Sequence, residues 1–168
     1  MRRILMPICT MGVTLACGTP GTMPMKADLS GASVTLGPGI VPGGGEAPAP
    51  SGFRPTVSAL LSLVPAYKGT DAPDLKIWSL PLESQRALAG GASPDDPGVG
   101  GRLLKVQSQS FVAQGALLQF EATWEGPAEG RFLMVEVWRK GRREAAAISA
   151  LEIHYLPAAQ PRGREGRN

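Results

Sequence analysis

Cysteine and histidine are nearly missing from this sequence: its 168 residues include two cysteines and a single histidine, His154. Both cysteines, Cys9 and Cys17, stand near the start, so the chain beyond residue 17 has no means of forming a disulfide or a cysteine-based metal cluster. A structural zinc would have to rely on His154 and carboxylates, a poor ligand set for that ion. A Ser-His-Asp device would also need His154, and no Gly-x-Ser-x-Gly turn accompanies it. Aromatic residues make up 5 % of the chain and charged residues 18 %, both low for a soluble protein. A membrane-crossing helix is missing as well. Residues 4–16 are uncharged, but they are broken by Pro7 and fall short of the roughly 20 residues needed to cross hydrocarbon.

A surplus of one sign of charge is present only at the chain ends. The formal charge of +3 at pH 7 could point to nucleic acid. Without residues 1–16 the chain has 15 basic and 14 acidic side chains, and without the tail from 158 it has 12 and 13. Nucleic-acid binding needs Lys and Arg clustered on the folded part, and this balance argues against it.

Glycine (22) and proline (16) are abundant and unevenly placed. They divide the chain into an apolar start (1–16), a Pro/Gly-rich stretch (17–52), a patterned body (53–157) and a basic tail (158–168). Residues 18–52 carry only Lys26, Asp28 and Glu46 as charges and no aromatic residue. Ordering costs about 1–2 kcal/mol per residue, so this composition predicts a disordered tether. Gly37-Pro38-Gly39 and Gly43-Gly44-Gly45 lack the Lys-Ser/Thr and the strand–helix context of a phosphate loop.

The start has the parts of an export signal: Arg2-Arg3, then a short uncharged segment, then Leu15-Ala16-Cys17-Gly18. This resembles the signal peptide and lipobox of bacterial lipoproteins, in which a small residue precedes a cysteine that is acylated and becomes the new amino terminus. Ala16 and Cys17 match that pattern; Thr14 departs from the usual Leu or Val, and Pro7 is unusual in such a segment. The resemblance implies cleavage between Ala16 and Cys17, lipid on Cys17 and a domain outside the cytoplasm, held to a membrane. Gly18, rather than Asp, implies the outer membrane in an organism that has two. The alternatives are an ordinary cleaved secretory signal and a cytosolic chain that happens to begin apolar.

In the body, residues 116–125 alternate cleanly, with Leu118, Phe120, Ala122 and Trp124 on one face, which predicts a half-buried strand. After a Gly-Pro turn, residues 131–139 are apolar on both faces, as in a central strand, and the two segments are expected to pair as a hairpin. Residues 102–113 read as one further strand, with Leu104, Val106, Ser108, Ser110 and Val112 on one face. Residues 142–157 read as another strand, with helix as the minority reading. Residues 74–80 hold a short strand-like segment, residues 82–89 a one- or two-turn helix, and residues 57–64 either a strand or a short helix. Together they predict a mainly β fold: a small antiparallel β-sandwich, of which the immunoglobulin-like arrangement is one form, with one short helix.

No catalytic residue, cofactor or metal site is nominated. Asp71, Asp74, Asp95 and Asp96 are oxygen ligands suited to calcium, but Asp and Pro beside Gly are more simply turn residues. Glu121 with Glu136 or Glu152 would serve glycoside hydrolysis only at 5–10 Å across a cleft. Trp78, Trp124 and Trp138 read first as core. The sharper expectation is that Phe132, Met134 and Trp138, on the second face of their strand, form a surface for a protein partner in the cell envelope. The leading functional expectation is a lipid-anchored, non-enzymatic binding or scaffolding module. A hydrolase with an unrecognised carboxylate site and a periplasmic sugar- or peptide-binding module are the alternatives.

Overall fold

Segments of two-residue periodicity become strands, and two sheets assemble from them. The computed structural model describes residues 25–37, 40–41, 45–46, 52–69 and 71–156. The expected signal peptide, Ala16, Cys17 and the basic tail lie outside the described residues. The strands are β1 (Lys26–Leu36), β2 (Ile40–Val41), β3 (Gly45–Glu46), β4 (Thr56–Val64), β5 (Asp74–Pro81), β6 (Arg102–Leu104), β7 (Val106–Val112), β8 (Leu117–Thr123), β9 (Arg131–Arg139), β10 (Arg142–Ala150) and β11 (Glu152–Tyr155). A 3-10 turn, Leu82–Ser84, leads into a short helix α1 (Gln85–Ala89). One sheet has the order β11-β1-β4-β8-β7 and the other β10-β9-β5-β6, while β2 and β3 form a small separate pair. Neighbours are antiparallel except β1 with β11. The described residues form a mainly β sandwich with one short helix.

The core lies between the sheets and is mostly aliphatic, with Phe120, Trp124 and Tyr67 added. Alternate residues of β4 (Val57, Ala59, Leu61, Leu63) and β8 (Leu118, Phe120, Ala122) are buried and belong to the same cluster as Ile77, Leu133, Val135 and Val137 of the other sheet. Burying each larger apolar side chain contributes roughly 1.5–3 kcal/mol, which is how a domain whose described residues include no cysteine is held together. Trp124 closes one end. Its amide donates to the Pro55 carbonyl (2.9 Å) and its indole N–H to the Gly126 carbonyl (2.9 Å).

Four expectations need correction. Residues 26–36, assigned to the tether, form the longest strand among the described residues, paired with β4 on one side and β11 on the other. No proline occurs between Pro24 and Pro38, and Leu29, Ala32 and Val34 are buried. The register shift between Ser30 and Ser33, with Gly31 at φ +60°, puts Leu29 and Ala32 on the same side despite their odd spacing. Averaged Gly/Pro content hides this pattern.

The expected hairpin of residues 116–125 with 131–139 does not exist. Both strands are present, with the expected inner faces, but β8 pairs with β4 and β7 whereas β9 pairs with β5 and β10. The connection crosses between sheets and buries Ala128 on the way.

Residues 102–113 and 142–157 are likewise not single strands. Each changes sheet once, at Lys105 between β6 and β7 and at Leu151 between β10 and β11. A bulge between Val106 and Ser108 also reverses the expected face of β7. Phe111 packs against the core, stacked on Tyr67 at 5.1 Å, while Val112 is exposed.

Candidate functional site

The outer face of β9 carries Phe132, Met134, Glu136 and Trp138, and it is where the sequence placed a partner surface. Phe132 and Met134 are largely covered. They are buried with Trp78, Leu80 and Val99 in a second cluster, to which Leu88 of α1 and Ala92 add. The cover is internal: the segment from Leu82 to Val99 folds back over β5 and β9. It is fastened where the Leu82 amide donates to the Gly130 carbonyl (2.9 Å) and the Ser84 hydroxyl to the Pro81 carbonyl (2.7 Å). Only Trp138, half-buried, keeps part of the expected exposure.

Beside this cluster lies a polar node that sequence reading missed. Glu136 is 3 % exposed, the one charged side chain buried among the described residues. Its Oε2 accepts from the indole N–H of Trp78 (3.2 Å) and of Trp138 (3.1 Å), and its Oε1 accepts from Nη1 of Arg143 (2.9 Å). The ammonium of Lys76 sits 3.9 Å from the centroid of the Trp138 ring. A buried carboxylate is tolerable when its lone pairs are taken by donors, at least one of them cationic. Trp78, buried in the second cluster as expected of a core residue, and the half-buried Trp138 both hold this carboxylate. The available signal was a lone Glu inside the apolar run 132–138.

Between α1 and β10 runs an open groove of about 640 Å³. Leu88 and Ala92 form one wall, Met134 with Ala146 and Ile148 the other side, and Arg143 lines one end. Ile148 is 51 % exposed, on a strand that among the described residues pairs only with β9. Volume and lining suit an apolar group with a polar end. The groove's polar groups include Arg143, Glu144 and the Ser93 hydroxyl, which donates to Asp95, and Glu136 nearby is already bonded to its three donors.

The remaining candidates do not converge. Glu121 lies on the outward face of the five-stranded sheet, opposite Glu136. Glu152 is three strands from Glu121, about 14 Å at the usual strand spacing. Asp95 and Asp96 both take hydrogen bonds from Ser93: its hydroxyl donates to Asp95 and its amide to Oδ2 of Asp96 (2.7 Å). The Ser93 bond holds the Asp95 carboxyl below its ordinary pKa. Asp71 and Asp74 are at the opposite end of β5 from the Pro94 region, which packs near Leu80. His154 is exposed, 3.6 Å from Glu152. Arg131 begins β9 on the side that faces the other sheet, opposite to Glu136. It donates through Nε to the Ser79 hydroxyl (2.6 Å) and through Nη2 to the carbonyls of Ser79 (2.7 Å) and Gly100 (3.2 Å). Burial, and secondarily Arg102, pull its pKa down.

The chain matches no protein-family model and no curated protein.

Proposed function

We propose that the protein is a lipid-anchored envelope lipoprotein whose sandwich is a non-enzymatic binding module, and that the α1–β10 groove is its contact site. The groove is the single observation that carries the binding reading. It combines an exposed isoleucine, an apolar floor and an arginine at one end, on the face where strand β10 has no second neighbour among the described residues. Leu15-Ala16-Cys17 supports the anchor.

Strand order supports an immunoglobulin-like form of the sandwich. That arrangement puts its first, second, fifth and fourth strands in one sheet and its third, sixth and seventh in the other. With β1, β4, β5, β7, β8, β9 and β10 taken as the seven, the orders here are β1-β4-β8-β7 and β5-β9-β10. β6 adds beside β5, and β11 beside β1.

Site-directed photocrosslinking in the producing cells tests the contact. A crosslinker at Ile148 should yield a discrete envelope adduct, while one at Leu103, exposed on another strand, should not. Equal adducts from both positions, or none from Ile148, reject the groove as the contact site.

A further inference from the structure

The strand register places the amino-terminal arm and a basic cluster at one pole of the sandwich. Lys26 begins β1 opposite Val64 at the end of β4, and on the other sheet Asp74 begins β5 opposite Trp138 near the end of β9. The β9–β10 turn is therefore at the pole where the chain enters the domain. It carries Arg139, Lys140 and Arg142, all exposed, and Lys26 and Lys68 are exposed there as well. Arg139 lies over the ring of Tyr67 at 5.8 Å, which ties the turn to the loop after β4.

Charges of the other sign are also present at this pole: Asp28, Asp71, Asp74 and Glu144. With Lys76 counted and the Arg143–Glu136 pair set aside, the pole has six basic and four acidic side chains. The rest of the residues whose side chains are described hold five basic and seven acidic ones, so this part of the domain is electrically polarised. Apolar side chains rim the same pole: Val64 is 63 % exposed and Val112 40 %.

We infer that this pole docks on an anionic lipid surface, an orientation that rests on the proposed acylation of Cys17. From Cys17 to Met25 there are eight residue steps, at most about 27 Å of chain. A lipid on Cys17 would hold the basic turn close to the headgroups, where Lys and Arg are attracted to anionic leaflets within a Debye length. The exposed valines would meet the interface, and the α1–β10 groove would be left facing sideways, open to a neighbour in the envelope. A protein partner of acidic surface fits less well, because the rim is apolar and the arm leads directly to the lipid.

The test separates this surface from the anchor. The chain from residue 17, produced without acyl groups, is sedimented with phosphatidylglycerol vesicles and with phosphatidylcholine vesicles. It should sediment with the anionic vesicles only, and high salt should release it. Reversing Arg139, Lys140 and Arg142 together to Glu should lower the partition at least about tenfold, whereas reversing Arg86 and Arg102 should leave it unchanged; each basic group near an anionic leaflet adds separately to the attraction. Circular dichroism of both variants establishes that they are folded. Equal sedimentation with both lipids, none with the anionic one, an equal loss in the Arg86/Arg102 variant, or tighter binding to duplex DNA than to vesicles would overturn the inference. Failure of the acylation reading is seen elsewhere, as an unmodified Cys17 in the cellular protein, and leaves the vesicle result standing.

Discussion

Replacing Glu136 by alanine removes the acceptor of three donors at once, and the structure sets the size of the loss. Trp78 is 7 % exposed, so its indole N–H has little access to water once the carboxylate is gone. One buried, unsatisfied donor costs about 1–3 kcal/mol. Trp138 is half-buried and can recruit water, so its share is smaller, and the space left by the side chain adds a cavity cost. Losing a buried charge offsets part of this. The expected net destabilisation is about 2–4 kcal/mol, near the upper end of ordinary single substitutions. Glu136→Gln keeps an acceptor oxygen but not the charge and should cost about half as much. Arg143→Met should cost no more than about 1 kcal/mol, because the arginine side chain is 54 % exposed and solvent screens the pair. Urea unfolding followed by tryptophan fluorescence measures the series; at a slope of about 1.5–2 kcal/mol/M the alanine variant should shift the midpoint by roughly 1–3 M. If Arg143→Met proves as damaging as Glu136→Ala, the two indoles are not what holds the carboxylate, and the reasoning fails.

Three further outcomes follow from the fold. Residues 53–168 alone should not fold cooperatively, since without β1 both β4 and β11 lose a neighbour, whereas residues 25–168 should; a sharp thermal transition in the shorter chain would refute the boundary. Gly115→Ala should lower stability by at least about 1 kcal/mol in calorimetry, because Gly115 has φ +85° and a β-carbon there would run into the Tyr67 carbonyl. Tyr155 donates to Glu129, which raises the Tyr155 pKa above 10 and lowers that of Glu129. The raised phenol stabilises the fold below the unfolded pKa, and that contribution is lost as pH rises through the folded value. The depressed carboxyl stabilises it above the unfolded carboxylate pKa and is lost as pH falls through the folded value. Absorbance titration near 295 nm should show one late-ionising phenol that returns towards its ordinary value in Glu129→Gln; an unchanged titration contradicts the contact.

Much of the fold is legible in single strands and little of it in their pairing. Leu118, Phe120, Ala122 and Trp124 announce their common face through strict alternation, and all four are buried. Alternation says which side chains point together, not which sheet a strand joins, so the crossing between β8 and β9 and the sheet changes at Lys105 and Leu151 leave no periodic trace. Bulges undo parity as well: the one at Val106–Ser108 turns Phe111 inward, and the one at Arg143–Ala145 inserts Glu144 beside the groove. β1 was hidden by its neighbours, because Gly and Pro on both sides dominate the composition of residues 17–52. On the outer face, the doubly apolar β9 signalled that something must cover Phe132 and Met134. It gave no indication that α1 and the segment to Val99 would do so, because the apolar residues that supply the cover, Leu88, Ala92 and Val99, are spread through a Gly/Pro/Asp-rich loop.

Lipid attachment at Cys17 underlies both the proposed location and the membrane-facing pole, and it can be read directly by intact-mass spectrometry of the protein from the membrane fraction. The account predicts an amino terminus at Cys17 carrying a diacylglyceryl group, and loss of processing in Cys17→Ser. A protein that begins at Met1, or one whose Cys17 is an unmodified thiol, would contradict it.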